Sequence, residues 1–547
     1  MQLPTKTDEC PVHNSKRRWF TWVFPIGGLL ALIWFLIRVI PKPSRAMYPC
    51  QRAAFPLASG FVIWLAGAVG SITAVRKAKR CFAQSRYILC VMLVAVSVGF
   101  IWLSQSITTE KAVLAGEPTA NAPIGIAKGI HPGRVVWAHD PDATDWDGPG
   151  NGYWWEGSHT NQAVADSMMS RAIQALSGSE NDAPAWDRLF KHFNGTHDKG
   201  NVGYKSGEKI LIKVNYVGCI SAYSRRKITK IEDYNLRNYD YMNTSPQMII
   251  ALLRQLVDEA GVSESDITVG DTLCYFPNEF YNMCHDKFPN VRYLDYVGKF
   301  GRTGAKSSSI ALYWSTPDAV GKETDYLPVS YVEADYLINM ANLKSHNDFA
   351  GITLCAKNHY GSLLRTPIGK GYFDMHKDLP FVKPGMGHYR PLVDLMGHKH
   401  LGGKTLLYLV DGLYAGKHAK ERAPRKWNSF PFNGDWSSSL FVSQDPVAID
   451  SVGFDFLWTE WDDAPHRSGT TDYLVEAALA DNPPSGTFYD PDHKGDYARL
   501  PSLGVSEHWN NPADKQYSRN LGTGKGIELI KLSRAVSHAA ATWYSTN

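Results

Sequence analysis

The chain predicts an α/β fold, a parallel or mixed sheet with flanking helices, preceded by three transmembrane helices. Three observations lead there. Short apolar runs alternate with segments of helical period over the last four hundred residues or so, the pattern of βαβ units. Several of those runs end in His, Lys or Asp. Near the N-terminus lie three apolar runs of about 18 to 22 residues, Trp19–Ile40, Phe55–Val75 and Tyr87–Ser104, the length that crosses a hydrocarbon core.

The apolar runs come first. Pro25 and Pro56 fall near run ends, and Trp19, Trp22 and Trp102 fall where interfacial aromatics sit. Residues 1–106 are therefore expected to form a membrane region. Lys6, Lys16, Arg17 and Arg18 share one face with Arg76, Lys77, Lys79, Arg80 and Arg86; Arg38, Lys42, Arg45, Arg52 and Lys111 occupy the other. Nine positive residues against five favour a cytoplasmic N-terminus and place the later domain outside, on the periplasmic side. This predicts a multi-pass membrane protein with an extracytoplasmic domain.

Residues 107–127 hold small and polar residues without period and are expected to be a linker to a domain over 128–547. Gly133 to Ala138 predicts a buried strand ending at His139-Asp140, and Thr160 to Leu176 a helix. Lys209 to Val217 predicts a strand. Ser245-Pro246 is a strong helix start, an N-cap serine with proline at N1, and the helix should stop at Gly261. Asp266 to Gly270 follows as a strand ending in Asp271. Lys404 to Val410 is a strand ending in Asp411, and Leu440 to Ser443 precedes Asp445-Pro446, a capped helix start. The stretches 276–330 and 414–438 are expected to be long loops.

Composition excludes some classes. A net charge of +4 over 547 residues is too mild to imply nucleic acid, and no nucleic-acid motif occurs. None of the eight cysteines forms a C-x-x-C pair, which excludes a ferredoxin-type cluster run and a paired zinc knuckle. Cys274 and Cys284 are open between a disulfide and inert buried thiols. Gly397-HKHL-Gly402-Gly403-Lys404-Thr405 imitates a phosphate loop, but it precedes a strand, whereas the mechanism needs strand, loop, then helix. His388, His398 and His400 form a histidine-rich stretch, and two histidines at i, i+2 without a carboxylate at known distance are too few to define a metal site.

The most informative segment is Asp335 to Gly361. An apolar run, Tyr336 to Met340, is expected to end in a turn that leads to Lys344, His346, Lys357, Asn358 and His359. Ligands sit at the carboxyl ends of parallel strands. Basic and imidazole groups gathered there hold anions, bind metals or move protons. His346, Asp271 and Asp411 are thus the candidate catalytic residues, and Lys344, Lys357, Asn358 and His359 the candidate cofactor- or ligand-binding residues. For Asp271, Asp411 and Asp445 the competing role is capping and turn formation.

Asn342, Lys344, His346, Gly351, Thr353, Lys357, Asn358 and Gly361 resemble the "N-x-x-K-x-H … G-x-T … K-N-x-x-G" segment of the family called domain of unknown function 362. The first spacing is one residue shorter here. IKVNYVG (212–218), the stretch 245–271, VDGLYAG (410–416) and DPVAIDSVGFDF (445–456) fit in order, so the resemblance spans about residues 205–460. It implies an α/β fold and little chemistry. His346, Ala350-Gly351 and Lys357 are also similar to a segment of nickel-pincer lactate racemase, where the histidine is a base and the lysine anchors the cofactor. The racemase's second histidine is replaced here by Asp271-Thr272, and its Gly-Gly by Cys355-Ala356. Two functions are expected to compete. One is an enzyme acting on a small anionic substrate, open between a divalent metal and a nickel-type organometallic or lysine-anchored cofactor. The other is a non-catalytic module that binds a metal, an envelope ligand or a partner protein.

Overall fold

The structure is a computed structural model. It describes residues 119–534, apart from 221–227, 347–348, 366–370, 420 and 495–498, together with 29–37 and scattered residues between 40 and 92. The chain divides into two compact units, 1–116 and 117–547.

The expected membrane region is corrected first. Among the described residues no helix is long and apolar enough to cross a membrane. In the first run the described helical residues are 29–37. The second and third runs lie largely outside the described residues. The three transmembrane helices, the multi-pass placement and the extracytoplasmic location inferred from them are therefore not retained.

The second unit is built on a ten-stranded mixed sheet. Its order is Glu528–Leu532, Arg134–His139, Ser439–Ser443, Thr405–Gly416, Tyr336–His346, Ile210–Lys213, Ile267–Gly270, Arg292–Asp295 and Thr303–Gly304, with Gly351–Thr353 paired beside Tyr336–His346. Within the long path only Ser439–Ser443 runs against its neighbours; Gly351–Thr353 is also antiparallel. Side chains alternate between two cores, as a period of two requires. Ile210, Ile212, Ile338 and Met340 pack with the helices Gln162–Ser177, Asp182–Thr196 and Pro246–Arg254. Leu211, Leu337 and Leu343 pack on the other face with Pro391–Gly397, Pro446–Glu460 and Asp472–Ala478.

Helix starts follow the expected chemistry. Ser245 Oγ accepts from Met248 N at 3.3 Å, and the helix passes through a π turn before ending near Gly261, whose φ is +70°. Asp445 goes further. Its Oδ1 accepts from Val447 N and Ala448 N at 3.0 and 2.9 Å, and its Oδ2 from Lys128 N and Val505 N at 2.8 and 3.2 Å. One carboxylate thus caps a helix and ties down two distant segments. Asp445→Ala is expected to lower stability by about 2 to 4 kcal/mol, since a lost cap and orphaned buried amides add up. A urea transition shifted by less than about 0.5 kcal/mol would reject that role.

Three other expectations change. The stretch 276–330 is not a long loop: it holds the helix Asn278–His285, the strand Arg292–Asp295 and the hairpin Ser307–Tyr313 with Thr324–Pro328. Cys219, Cys274, Cys284 and Cys355 are free and buried, so Cys274 and Cys284 are unpaired thiols, and burial pushes both up. The Tyr336–Met340 run does not end in a turn. The strand continues to His346, all eleven residues buried, because Lys344, Ser345 and His346 pair with Thr353, Ile352 and Gly351 of the returning chain. Gly351 makes that return at φ +80°, where a Cβ would sit 2.1 Å from Thr470 Oγ1.

Candidate functional site at the carboxyl edge

Chain order and helix placement give the sheet one point of reversal. After Ile210–Lys213 the chain crosses the first face and pairs outward with Ile267–Gly270; after Tyr336–His346 it crosses the second and pairs outward on the other side with Thr405–Gly416. Open α/β sheets bind ligands at the carboxyl ends of such a pair. A cavity of about 80 Å³ lies there, lined by Asn215, Asp271, Lys344, His346, Thr353, Lys357, Asn358 and Tyr360, among others.

A polar chain runs beside it. Lys213, with its side chain fully buried, donates to Asp271 Oδ2 at 2.9 Å, to Asn358 Oδ1 at 3.0 Å and to its neighbour Val214 O at 2.5 Å. Asn215 Nδ2 donates to the same Asn358 Oδ1 at 3.1 Å. Asn215 Oδ1 accepts from Lys344 Nζ at 2.9 Å. Asn358 Nδ2 donates to Asn339 Oδ1 at 2.8 Å and Met340 O at 3.2 Å, which fixes the orientation of the whole set. Gly361 covers the ion pair closely: a Cβ there would stand 2.8 Å from both Asp271 Oδ2 and Lys213 Nζ.

Lys344 is 1% exposed. Burial, with the Lys213 charge adding to it against Asp411 and Asp271, brings its ammonium down to about 7. Lys357 stands on the short helix Cys355–Asn358. Asp450 holds that helix by accepting from Cys355 N at 2.8 Å and Ala356 N at 3.0 Å, and it takes Tyr473 Oη at 3.0 Å. Lys357 Nζ lies 4.4 Å from the Tyr360 ring centroid and 3.4 Å from His376 Nε2. Burial and the Lys357 charge hold His376 down to about 4, although its Nδ1 meets Asp374 Oδ1 at 3.0 Å.

Of the residues expected from the sequence, Lys344, His346, Lys357, Asn358 and Asp271 come together around this cavity. Asp271 does so as the partner of Lys213, not as an open carboxylate. Asp411 lies within Thr405–Gly416, the parallel neighbour of the central strand, in register with Asn342, and does not line the cavity. Its Oδ2 accepts from Ser245 N at 2.7 Å and its Oδ1 from Leu413 N at 3.1 Å, so it caps a helix start. His359 is fully buried away from the cavity lining, and burial beside Lys213 brings it down to about 3. Neither of its ring nitrogens has a hydrogen-bond partner among the described residues. Lys213, Asn215, Asn339, Tyr360 and Asp450 were missed. Lys213 carried a usable signal, since a lysine closing an apolar strand is seldom buried without a partner.

The histidine-rich stretch and the imitation phosphate loop resolve into structure. His398 Nε2 meets Ala311 O at 3.1 Å and Asp492 Oδ1 at 3.3 Å, and its Nδ1 accepts from His400 N. Lys404 Nζ donates to the carbonyls of Tyr331, Val332 and Ala334, capping the end of the short helix Val329–Glu333. Among the described residues no group of three or more His, Cys, Asp or Glu side chains could hold a metal ion. The donor set thus does not fit a protein-held divalent metal. An organometallic cofactor on Lys357 does not fit either, because about 80 Å³ is well below the roughly 300 Å³ at which ordinary cofactor sites begin.

A larger cleft of about 500 Å³ opens at the amino edge, lined by Lys128, His192, Lys399, Lys494 and Asp492, among others. Its charged side chains are less buried than those at the carboxyl edge, and Asp492 is engaged by His398. The buried, mutually oriented bases lie at the carboxyl edge.

No curated protein and no solved structure matches the chain. None of the comparisons shows the likeness to lactate racemase. Residues 229–455 match the family model described as Domain of unknown function (DUF362), a stretch that includes Asp271, Lys344, His346, Lys357 and Asp411 and leaves out Lys213 and Asn215. Over residues 229–455 the chain is similar to the DUF362 family.

Proposed function

We propose that this chain is an enzyme that binds a small organic anion in the carboxyl-edge cavity and moves a proton on it. One observation carries the reading. Lys344, His346 and Lys357 line the cavity, and the one carboxylate in its lining among the described residues, Asp271, is already paired with a fourth base, Lys213. Three basic groups gathered on one largely buried cavity favour a ligand that brings negative charge.

The roles follow from position. Lys357, on a capped helix, holds the anionic group. Lys344 is partly neutral near pH 7 and takes a proton. His346 stands two residues along the same strand face and serves as the second proton-transfer group. Asn215 and Asn358 orient Lys344, and the Lys213–Asp271 pair holds those amides in place.

Titration calorimetry of the full chain with pyruvate, lactate and inorganic phosphate tests the binding step. Lys357→Met is expected to weaken the best of these by about tenfold or more, the worth of one charge-assisted hydrogen bond. Equal affinity in wild type and variant would remove Lys357 from the site. Absence of binding by all three anions would count against the reading as a whole.

A further inference from the structure

We infer that Lys344 forms a covalent imine with the carbonyl carbon of a small 2-oxo carboxylate. The inference rests on the preceding reading that the cavity takes a small organic anion, and it narrows the substrate class.

Two buried lysines near the carboxyl edge are dressed differently. Lys213 has the acceptors an ammonium needs: the Asp271 carboxylate, the Asn358 amide oxygen and the Val214 carbonyl. Among the described residues Lys344, equally buried, donates to a single neutral acceptor, Asn215 Oδ1. Among the described residues the carboxylates near it are committed, Asp271 to Lys213 and Asp411 to the backbone amides of Ser245 and Leu413. An ammonium with three donors, one neutral acceptor and no paired carboxylate is poorly solvated. A neutral amine with one donor engaged keeps its lone pair. The burial that brings Lys344 to about 7 agrees with this. A desolvated lysine beside other cations is a nucleophile toward carbonyl carbon. Lys357 on the same cavity supplies the partner for a carboxylate, so the fitting substrate carries both groups. A volume of about 80 Å³ limits it to a few carbon atoms.

The step balances without oxidant or reductant. The Lys344 Nζ lone pair attacks the carbonyl carbon, a C–N bond forms, and the carbonyl π pair moves to oxygen. That oxygen takes a proton, for which His346 is placed in the same lining. The nitrogen gives up a proton, which passes through His346 to the hydroxyl oxygen; the nitrogen lone pair then forms the C=N π bond, the C–O bond breaks, and one water leaves. The resulting protonated imine withdraws electrons from the adjacent carbon, from which a proton can then depart.

The test is reductive trapping on the full chain. Protein is incubated with pyruvate or glyoxylate and cyanoborohydride, digested, and the modified lysines located by mass spectrometry. Lys344 should be modified about tenfold or more above any other lysine, and Lys344→Met and Lys344→Arg should lose that site with the remaining labelling unchanged. Labelling spread over surface lysines with Lys344 unmodified, while calorimetry still shows the anions bound, would overturn the imine and leave the anion site standing. Loss of both labelling and binding would overturn the two together.

Discussion

Lys344→Met should make the protein more stable at neutral pH while ending its chemistry. The Lys344 ammonium falls from 10.5 to about 7 on folding, chiefly through burial. At and below about pH 7 the folded chain carries or forgoes that proton at full cost, up to about 5 kcal/mol for a shift of this size. Between about 7 and 10.5 the unfolded chain alone holds the proton, so the wild type gains stability as pH rises. Above 10.5 both states are neutral and the cost is gone. The charged or titratable groups around Lys344 are Lys213, Asp271 and Cys274 from the neighbouring strand ends, Asp411 from the other side, and His346 and Lys357 in the cavity. They remain in the variant, so the difference isolates Lys344. Urea transitions at pH 6, 7, 8 and 9 should show Met ahead by a few kcal/mol at the low end, with the gap closing upward. A variant less stable than wild type at pH 7 would mean that Lys344 is charged and well paired, and the site would lose its base.

The second large effect belongs to the pair beneath the cavity. Asp271→Leu leaves Lys213 buried without a counterion and should cost about 3 to 5 kcal/mol. Lys213→Met strands the carboxylate and should cost a similar amount. The double variant Lys213→Met with Asp271→Leu removes both charges and should recover most of the loss, because two apolar side chains can replace a buried pair at little net cost. A double-mutant cycle by calorimetric unfolding should give a coupling of about 2 kcal/mol or more. Additive losses would mean that the pair is held by its other contacts and carries no special weight.

How much of this was legible in the sequence depended on the range of the interaction. Ser245-Pro246 and Asp445-Pro446 are local signals, and both became helix starts because a cap needs only its own next turn. The strand ends that gather at the carboxyl edge were also visible, as was the segment from Lys344 to Asn358. The length of the central strand was not: Lys344 and His346 are extended only because residues 351–353 return to pair with them. Asp411 looked like a site residue, but its capping partner Ser245 lies far away in sequence. Lys213 was hidden in an apolar run, since the acceptors that permit its burial come from residues 271 and 358. The apolar N-terminal runs show the limit of composition: an apolar run is necessary for a spanning helix and does not establish one.

The extension of the central strand also decides how the site can fail. Reactive groups often ride on loops, which open locally at little cost and can fall silent while the rest of a protein stays folded. Here Lys344 and His346 sit on an eleven-residue strand buried along its whole length and hydrogen-bonded on both sides for much of it. Their amides are expected to exchange slowly, as hydrogen exchange would check. Heat or denaturant should therefore not produce a folded but inactive form, and loss of chemistry should coincide with collapse of the sheet.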